Sequence, residues 1–89
     1  MYFKKYYKMI KNMKIEIYST PACMYCNMLK AYLTQNNIEY IDYNVAEDQA
    51  KGKEMVELTG QMGVPVSKIG DDIIIGFDQP KIAELLNIK

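Results

Sequence analysis

Cys23 and Cys26 are the only cysteines of the chain, and they stand in the run Cys23-Met24-Tyr25-Cys26. Their surroundings constrain the fold more than any other feature. Before them, Lys14-Ile15-Glu16-Ile17-Tyr18 alternates as a strand does, and Ser19-Thr20-Pro21-Ala22 breaks the alternation. After them, Cys26, Leu29, Tyr32 and Leu33 recur at helical spacing, which predicts a helix over 23–36 ended by Asn36-Asn37. The pair thus falls at a strand-to-helix junction. Two thiols at a helix mouth face one side and close a small disulfide. A thiolate there is stabilised by unpaired backbone N–H groups and the positive end of the helix dipole. Thiol–disulfide exchange is the chemistry this position suits.

The rest of the pattern builds a sheet around that junction. Glu39-Tyr40-Ile41-Asp42-Tyr43-Asn44-Val45 alternates again, and the helix between the two strands makes a parallel, right-handed β-α-β unit. A second helix is predicted over 47–59, with Asp48 in its first turn, Gly52 inside it and Gly60 as its stop. Val64 to Ile69 reads as a strand, Gly70-Asp71-Asp72 as a hairpin turn, and Ile73-Ile74-Ile75 as the returning strand. Asp78 offers a helix N-cap with Pro80 in the first turn, followed by the apolar stripe Ile82, Leu85, Leu86. The order β-α-β-α-β-β-α predicts an α/β fold, a four-stranded mixed sheet flanked by helices.

Charge separates the first residues from this body. Lys4, Lys5, Lys8 and Lys11 lie in the first twelve residues without an acid, whereas from Met13 onward seven lysines face eleven acids, a net charge of −4. Residues 1–12 therefore read as a basic, aromatic N-terminal extension and 13–89 as the domain. Such an extension suits contact with an anionic membrane or a nucleic acid; the simpler readings are a plain extension or a translation start at Met13. The acidic body argues against nucleic-acid binding as the main role. No membrane-spanning or signal-peptide pattern is present, so a cytoplasmic, reducing setting is expected. With no histidine and no arginine, His-based acid–base catalysis, His metal ligands and bidentate phosphate binding are excluded.

Three segments together, Tyr18 to Cys26, Gly63-Val64-Pro65-Val66 and Gly76-Phe77-Asp78, resemble the thioredoxin superfamily and more closely its glutaredoxin branch. The resemblance runs from Met13 to the C-terminus and is nearest to small bacterial glutaredoxin-like proteins and NrdH-type redoxins. It implies a thioredoxin-like fold and a dithiol oxidoreductase that reduces protein or low-molecular-weight disulfides. Cys23, nearer the helix start and solvent, is expected to attack as thiolate, and Cys26, one turn deeper, to resolve the mixed disulfide. Lys30 lies two turns on and is expected to be too far to help. The resemblance further implies a cis Val64–Pro65 bond facing the cysteines, leaving the Val64 backbone to pair with a substrate. Tyr25 is expected either to pack against a bound thiol or to cover Cys26. The backbone N–H groups of Phe77 and Asp78 are expected to receive a carboxylate, with Asp78 as a plain N-cap the alternative.

Departures from the family pattern bear on the reductant. Met24 stands where proline is usual, Thr20 where many glutaredoxins carry Lys or Arg, and Ile75 and Gln79 flank Gly76-Phe77-Asp78 in place of the usual Gly and Asp. These make glutathione an uncertain co-substrate. Thioredoxin itself fits less well, since tryptophan is absent, Ile17 replaces a buried Asp, and no Gly-Pro separates the cysteines. The expected partners are disulfide-containing proteins, with glutathione, another thiol or thioredoxin reductase as electron source. The expected state is a monomer with no bound cofactor or metal. Two alternatives stay open: an NrdH-like donor to ribonucleotide reductase recharged by thioredoxin reductase, and a dimeric module whose cysteine pairs share zinc or an iron–sulfur cluster. Glu54 and Glu57 read as a solvated helix face, Asp71 and Asp72 as a turn, and Tyr40 and Tyr43 as packing residues on opposite strand faces.

Overall fold

Strand β1, Ile15–Ser19, is buried along its whole length and organises everything else. The computed structural model describes residues 14–88, so the extension expected over 1–12 lies outside the described residues. After β1 come α1 (Met24–Gln35), β2 (Ile41–Asn44), α2 (Gln49–Thr59), β3 (Val66–Ile69), β4 (Asp72–Ile75) and α3 (Gln79–Leu86). The strands lie in the order β2-β1-β3-β4. The β1–β2 pair is parallel, whereas β1–β3 and β3–β4 are antiparallel. This is the expected α/β architecture.

Alternation along β1 divides the interior in two. Ile15 and Ile17 face α1 and α3, where they pack with Leu29, Leu33, Ile69, Ile74 and Ile82. Tyr18 points to the other face and packs with Met55 of α2 and Val66, with Tyr43, Val45, Val64 and Ile73 around them. Tyr40 belongs to the first cluster and Tyr43 to the second, on opposite faces as their spacing requires.

Several boundaries differ from the sequence pattern, each for a local reason. Asp48 is the N-cap of α2 and not part of its first turn, because its Oδ1 accepts the Lys51 N–H at 3.0 Å. Cys23 and Asn36 likewise cap α1 from outside it. Strand β3 begins at Val66, two residues later than the apolar run, and β4 begins at Asp72, which pairs with Ile69 across a turn led by Gly70. Gly60 closes α2 at φ 72°, in the left-handed region that a side chain disfavours. Gly52, inside α2, faces Val45: a Cβ there would meet Val45 at 3.6–3.7 Å, an ordinary contact. Among the described residues no helix is long and apolar enough to cross a membrane.

Register places the site. Tyr18 lies opposite Val66 and Val66 opposite Ile75. The segments that continue these strands, Thr20 onward, Val64-Pro65 and Gly76 onward, therefore emerge together at one end of the sheet. The three segments singled out in the sequence are far apart along the chain and meet because of this pairing.

Candidate active site

Cys23 is the N-cap of α1. Its backbone is extended (φ −84°, ψ 113°), and its Sγ accepts the Cys26 N–H at 3.1 Å, as a serine or aspartate oxygen would at an N-cap. The Cys23 N–H itself donates to the Thr20 carbonyl at 3.3 Å, which closes the loop leaving β1. Cys23 and Cys26 are joined as a disulfide with their Cα atoms 5.2 Å apart. Cys26 is wholly buried, whereas Cys23 is partly exposed. Of the two residues, Cys23 is the one nearer solvent.

The Val64–Pro65 bond is cis. The Val64 carbonyl oxygen lies 3.8 Å from Cys23 Sγ, and Pro65 is buried beneath it. The Gly76 N–H donates to the Pro65 carbonyl at 2.8 Å and ties the third segment to the second. Gly76 takes φ 85°, so the turn into α3 depends on having no Cβ there. Beyond it, the Phe77 ring packs inward against Tyr32, 5.9 Å between centroids. Asp78 caps α3 by accepting the Lys81 N–H at 3.3 Å. Tyr25, by contrast, is 62% exposed beside Met24 at 72%.

Two polar clusters escaped sequence reading. On the α1 side, Ser19 Oγ donates to Asp42 at 2.6 Å, and Lys30 Nζ donates to both Ser19 Oγ (3.3 Å) and Asp42 (3.0 Å). On the α2 side, the Tyr18 hydroxyl donates to Glu54, the Tyr43 hydroxyl donates to Glu16 at 2.7 Å, and Lys51 bonds Glu54 at 3.2 Å while lying 4.2 Å from the Tyr43 ring centroid. Glu54, although its side chain is 40% exposed, is therefore part of a helix-to-sheet tether. The hydrogen bond from Tyr18 holds the Glu54 carboxyl below its ordinary value. Burial, followed by that same bond, pushes the Tyr18 hydroxyl far above its own. The bond to Glu16 raises Tyr43. The available signal was the presence of polar residues, Glu16 and Ser19, inside a strand otherwise fully buried.

Among the described residues no group of three or more His, Cys, Asp or Glu side chains is placed to hold a metal ion. One chain supplies the two sulfurs alone.

Comparison with known proteins agrees with this geometry. The glutaredoxin family model matches residues 15–74. A glutaredoxin-like 8.6 kDa protein from a rubredoxin operon of Clostridium pasteurianum is 46% identical over 72 residues, covering 81% of this chain and 96% of that one. The glutaredoxin-like protein NrdH of Lactococcus lactis subsp. cremoris is 28% identical over 71 residues, covering 80% and 97%. Among solved structures, a mutant of the thioredoxin-like protein BC3987 superposes with a TM-score of 0.81 at 32% identity, over 85% of this chain and 97% of that one. The chain belongs to the glutaredoxin family of thiol–disulfide oxidoreductases.

Proposed function

We propose that the chain reduces disulfides of other proteins through two thiols with separate roles. Cys23 thiolate attacks one sulfur of a substrate disulfide, forming a mixed disulfide and expelling the other sulfur as a thiolate. The sulfur of Cys26 then attacks Cys23, which forms the Cys23–Cys26 disulfide and releases the second substrate sulfur. The substrate gains two electrons and two protons, and the pair loses them until a reductant restores it. The observation that carries this reading is the asymmetry of the pair: Cys23 partly exposed with its sulfur held by the Cys26 amide, Cys26 wholly buried.

The other residues supply a binding surface. The Val64 backbone, just outside β3 and beside Cys23 Sγ, pairs with an extended stretch of substrate, with Pro65 as its floor. Tyr25 offers an exposed apolar flank. The N–H groups of Phe77 and Asp78, at the start of α3, receive a carbonyl or carboxylate of the substrate.

Thr20, in the slot of a cationic glutathione anchor, favours a second reading of the reductant. The NrdH relative covers almost its whole length with this chain. Both fit recharging by thioredoxin reductase, with ribonucleotide reductase among the substrates, and glutathione is the competing electron source. The test offers a protein disulfide with NADPH and either thioredoxin reductase or glutathione plus its reductase. NADPH consumption that depends on Cys23 and Cys26 supports the function, and the faster system identifies the reductant. No consumption with either contradicts it.

A further inference from the structure

The wholly buried Cys26 must act as a nucleophile, yet a thiolate formed away from water needs compensating charge. The chain contains no histidine to supply it. Lys30 lies four residues after Cys26 in the same helix, so the two share a face, with Cβ atoms about 5–6 Å apart. Long side chains in a helix lean over the turn N-terminal to their own Cα, which directs Lys30 back toward the Cys26 turn. The Lys30 side chain is only 20% exposed. Two bonds, to Ser19 Oγ and Asp42 Oδ2, anchor its ammonium, which has three N–H donors in all. Ser19 ends β1, and Asp42 sits beside Ile17 on the α1 side of the sheet, so both anchors belong to the rigid frame.

We propose that Lys30, held by Ser19 and Asp42, is a positioning residue that sets the charge beside Cys26 and thereby governs the resolving step. The inference rests on the assignment of Cys23 as attacker and Cys26 as resolver. In that step the Cys26 sulfur loses its proton and attacks Cys23. The Cys23–Cys26 bond forms, the bond from Cys23 to the substrate sulfur breaks, and the departing thiolate takes up a proton in exchange. The Lys30 ammonium favours the transient Cys26 thiolate; Asp42 partly cancels that charge while fixing its place. Other ionisable groups around Cys26 are differently engaged. Cys23 is its reaction partner, Glu16 and Tyr18 of β1 face α2, Tyr43 of β2 does likewise, and Asp78 caps α3. Tyr32 packs on Phe77, and Tyr25 stands outward.

The test follows reduced protein mixed with one equivalent of dithiobis(nitrobenzoate), in which each coloured thiolate released reports one step. The first release follows Cys23 attack and the second follows resolution by Cys26. Removing the cation in Lys30→Met is expected to raise the pH midpoint of the second phase by about one unit. Asp42→Asn, which frees the cation from its counter-charge, is expected to lower it, and Lys30→Arg is expected to restore it. The first-phase profile is expected to stay in place throughout. If Lys30→Met does not fold, a lowered midpoint in Asp42→Asn beside a parental midpoint in Lys30→Arg decides alone. A second-phase midpoint that stays fixed in Lys30→Met and Asp42→Asn, or that moves in either of them in the other sense, overturns the proposal. A first phase that survives in Cys23→Ser overturns instead the assignment of the two cysteines, which separates the two failures.

Discussion

The Cys26 N–H donates to Cys23 Sγ at 3.1 Å, so the inner cysteine's amide holds the sulfur of the outer one. The same bond caps α1, and reactivity and helix stability therefore share one contact. Cys23→Ser retains a capping oxygen, while Cys23→Ala removes it. Measured against the reduced protein by urea unfolding, Cys23→Ala is expected to cost about 1 kcal/mol and Cys23→Ser much less.

Acid should loosen the contact between α2 and the sheet. Glu54 is held below its ordinary value of 4.5, chiefly by the Tyr18 hydroxyl. A depressed carboxyl contributes stability above its unfolded value and loses it as pH falls through the folded one. Tyr18→Phe should therefore cost about 1 kcal/mol near neutral pH, modest because Glu54 remains 40% exposed, and less near pH ~3. The raised Tyr18 hydroxyl carries the opposite sign: its contribution is full below its ordinary value of 10.0 and fades as pH rises beyond it. Unfolding midpoints of parent and variant across pH check both limbs. A constant difference at every pH contradicts the tether.

Two glycines should respond in opposite directions to alanine. Gly52 sits inside α2 with room for a Cβ, so Gly52→Ala is expected to stabilise by about 0.5–1 kcal/mol. Gly76 holds φ 85° in the turn that bonds Pro65, so Gly76→Ala is expected to destabilise by about 1–2 kcal/mol. Thermal unfolding of the two variants checks the contrast.

Ser67 offers a separate test of the core. It is wholly buried on β3, and its hydroxyl has no hydrogen-bond partner among the described residues. Ser67→Ala removes that orphaned group at little loss of packing and is expected to stabilise by about 1 kcal/mol. A loss of stability on calorimetry would point to a partner for the hydroxyl.

The order of elements was legible because it depends on local periodicity: Ile15 and Ile17 alternate, while Cys26, Leu29 and Leu33 recur at helical spacing. The Cys23–Cys26 junction was legible for the same reason. Partners set by register were not. Ser19 and Asp42 lie 23 residues apart and meet through the pairing of β1 with β2, while Tyr18 and Glu54 lie 36 apart and meet because α2 packs on the sheet. Lys30 shows the difference most clearly. Its count along the helix says how far it lies from Cys23, whereas its bonds to Ser19 and Asp42 depend on two strands. Phe77 was picked out with its neighbours as one motif, yet its ring belongs to the core beside Tyr32.

The division of labour between the two sulfurs is tested most directly by intact-mass measurement of single-cysteine variants mixed with a disulfide-bonded peptide. Cys26→Ser keeps the exposed, amide-held sulfur and lacks the resolving one, so it is expected to accumulate a stable adduct on Cys23. Cys23→Ser, left with the buried sulfur alone, is expected to form almost none. Equal adducts on both variants, or an adduct on Cys26 alone, would contradict the assignment.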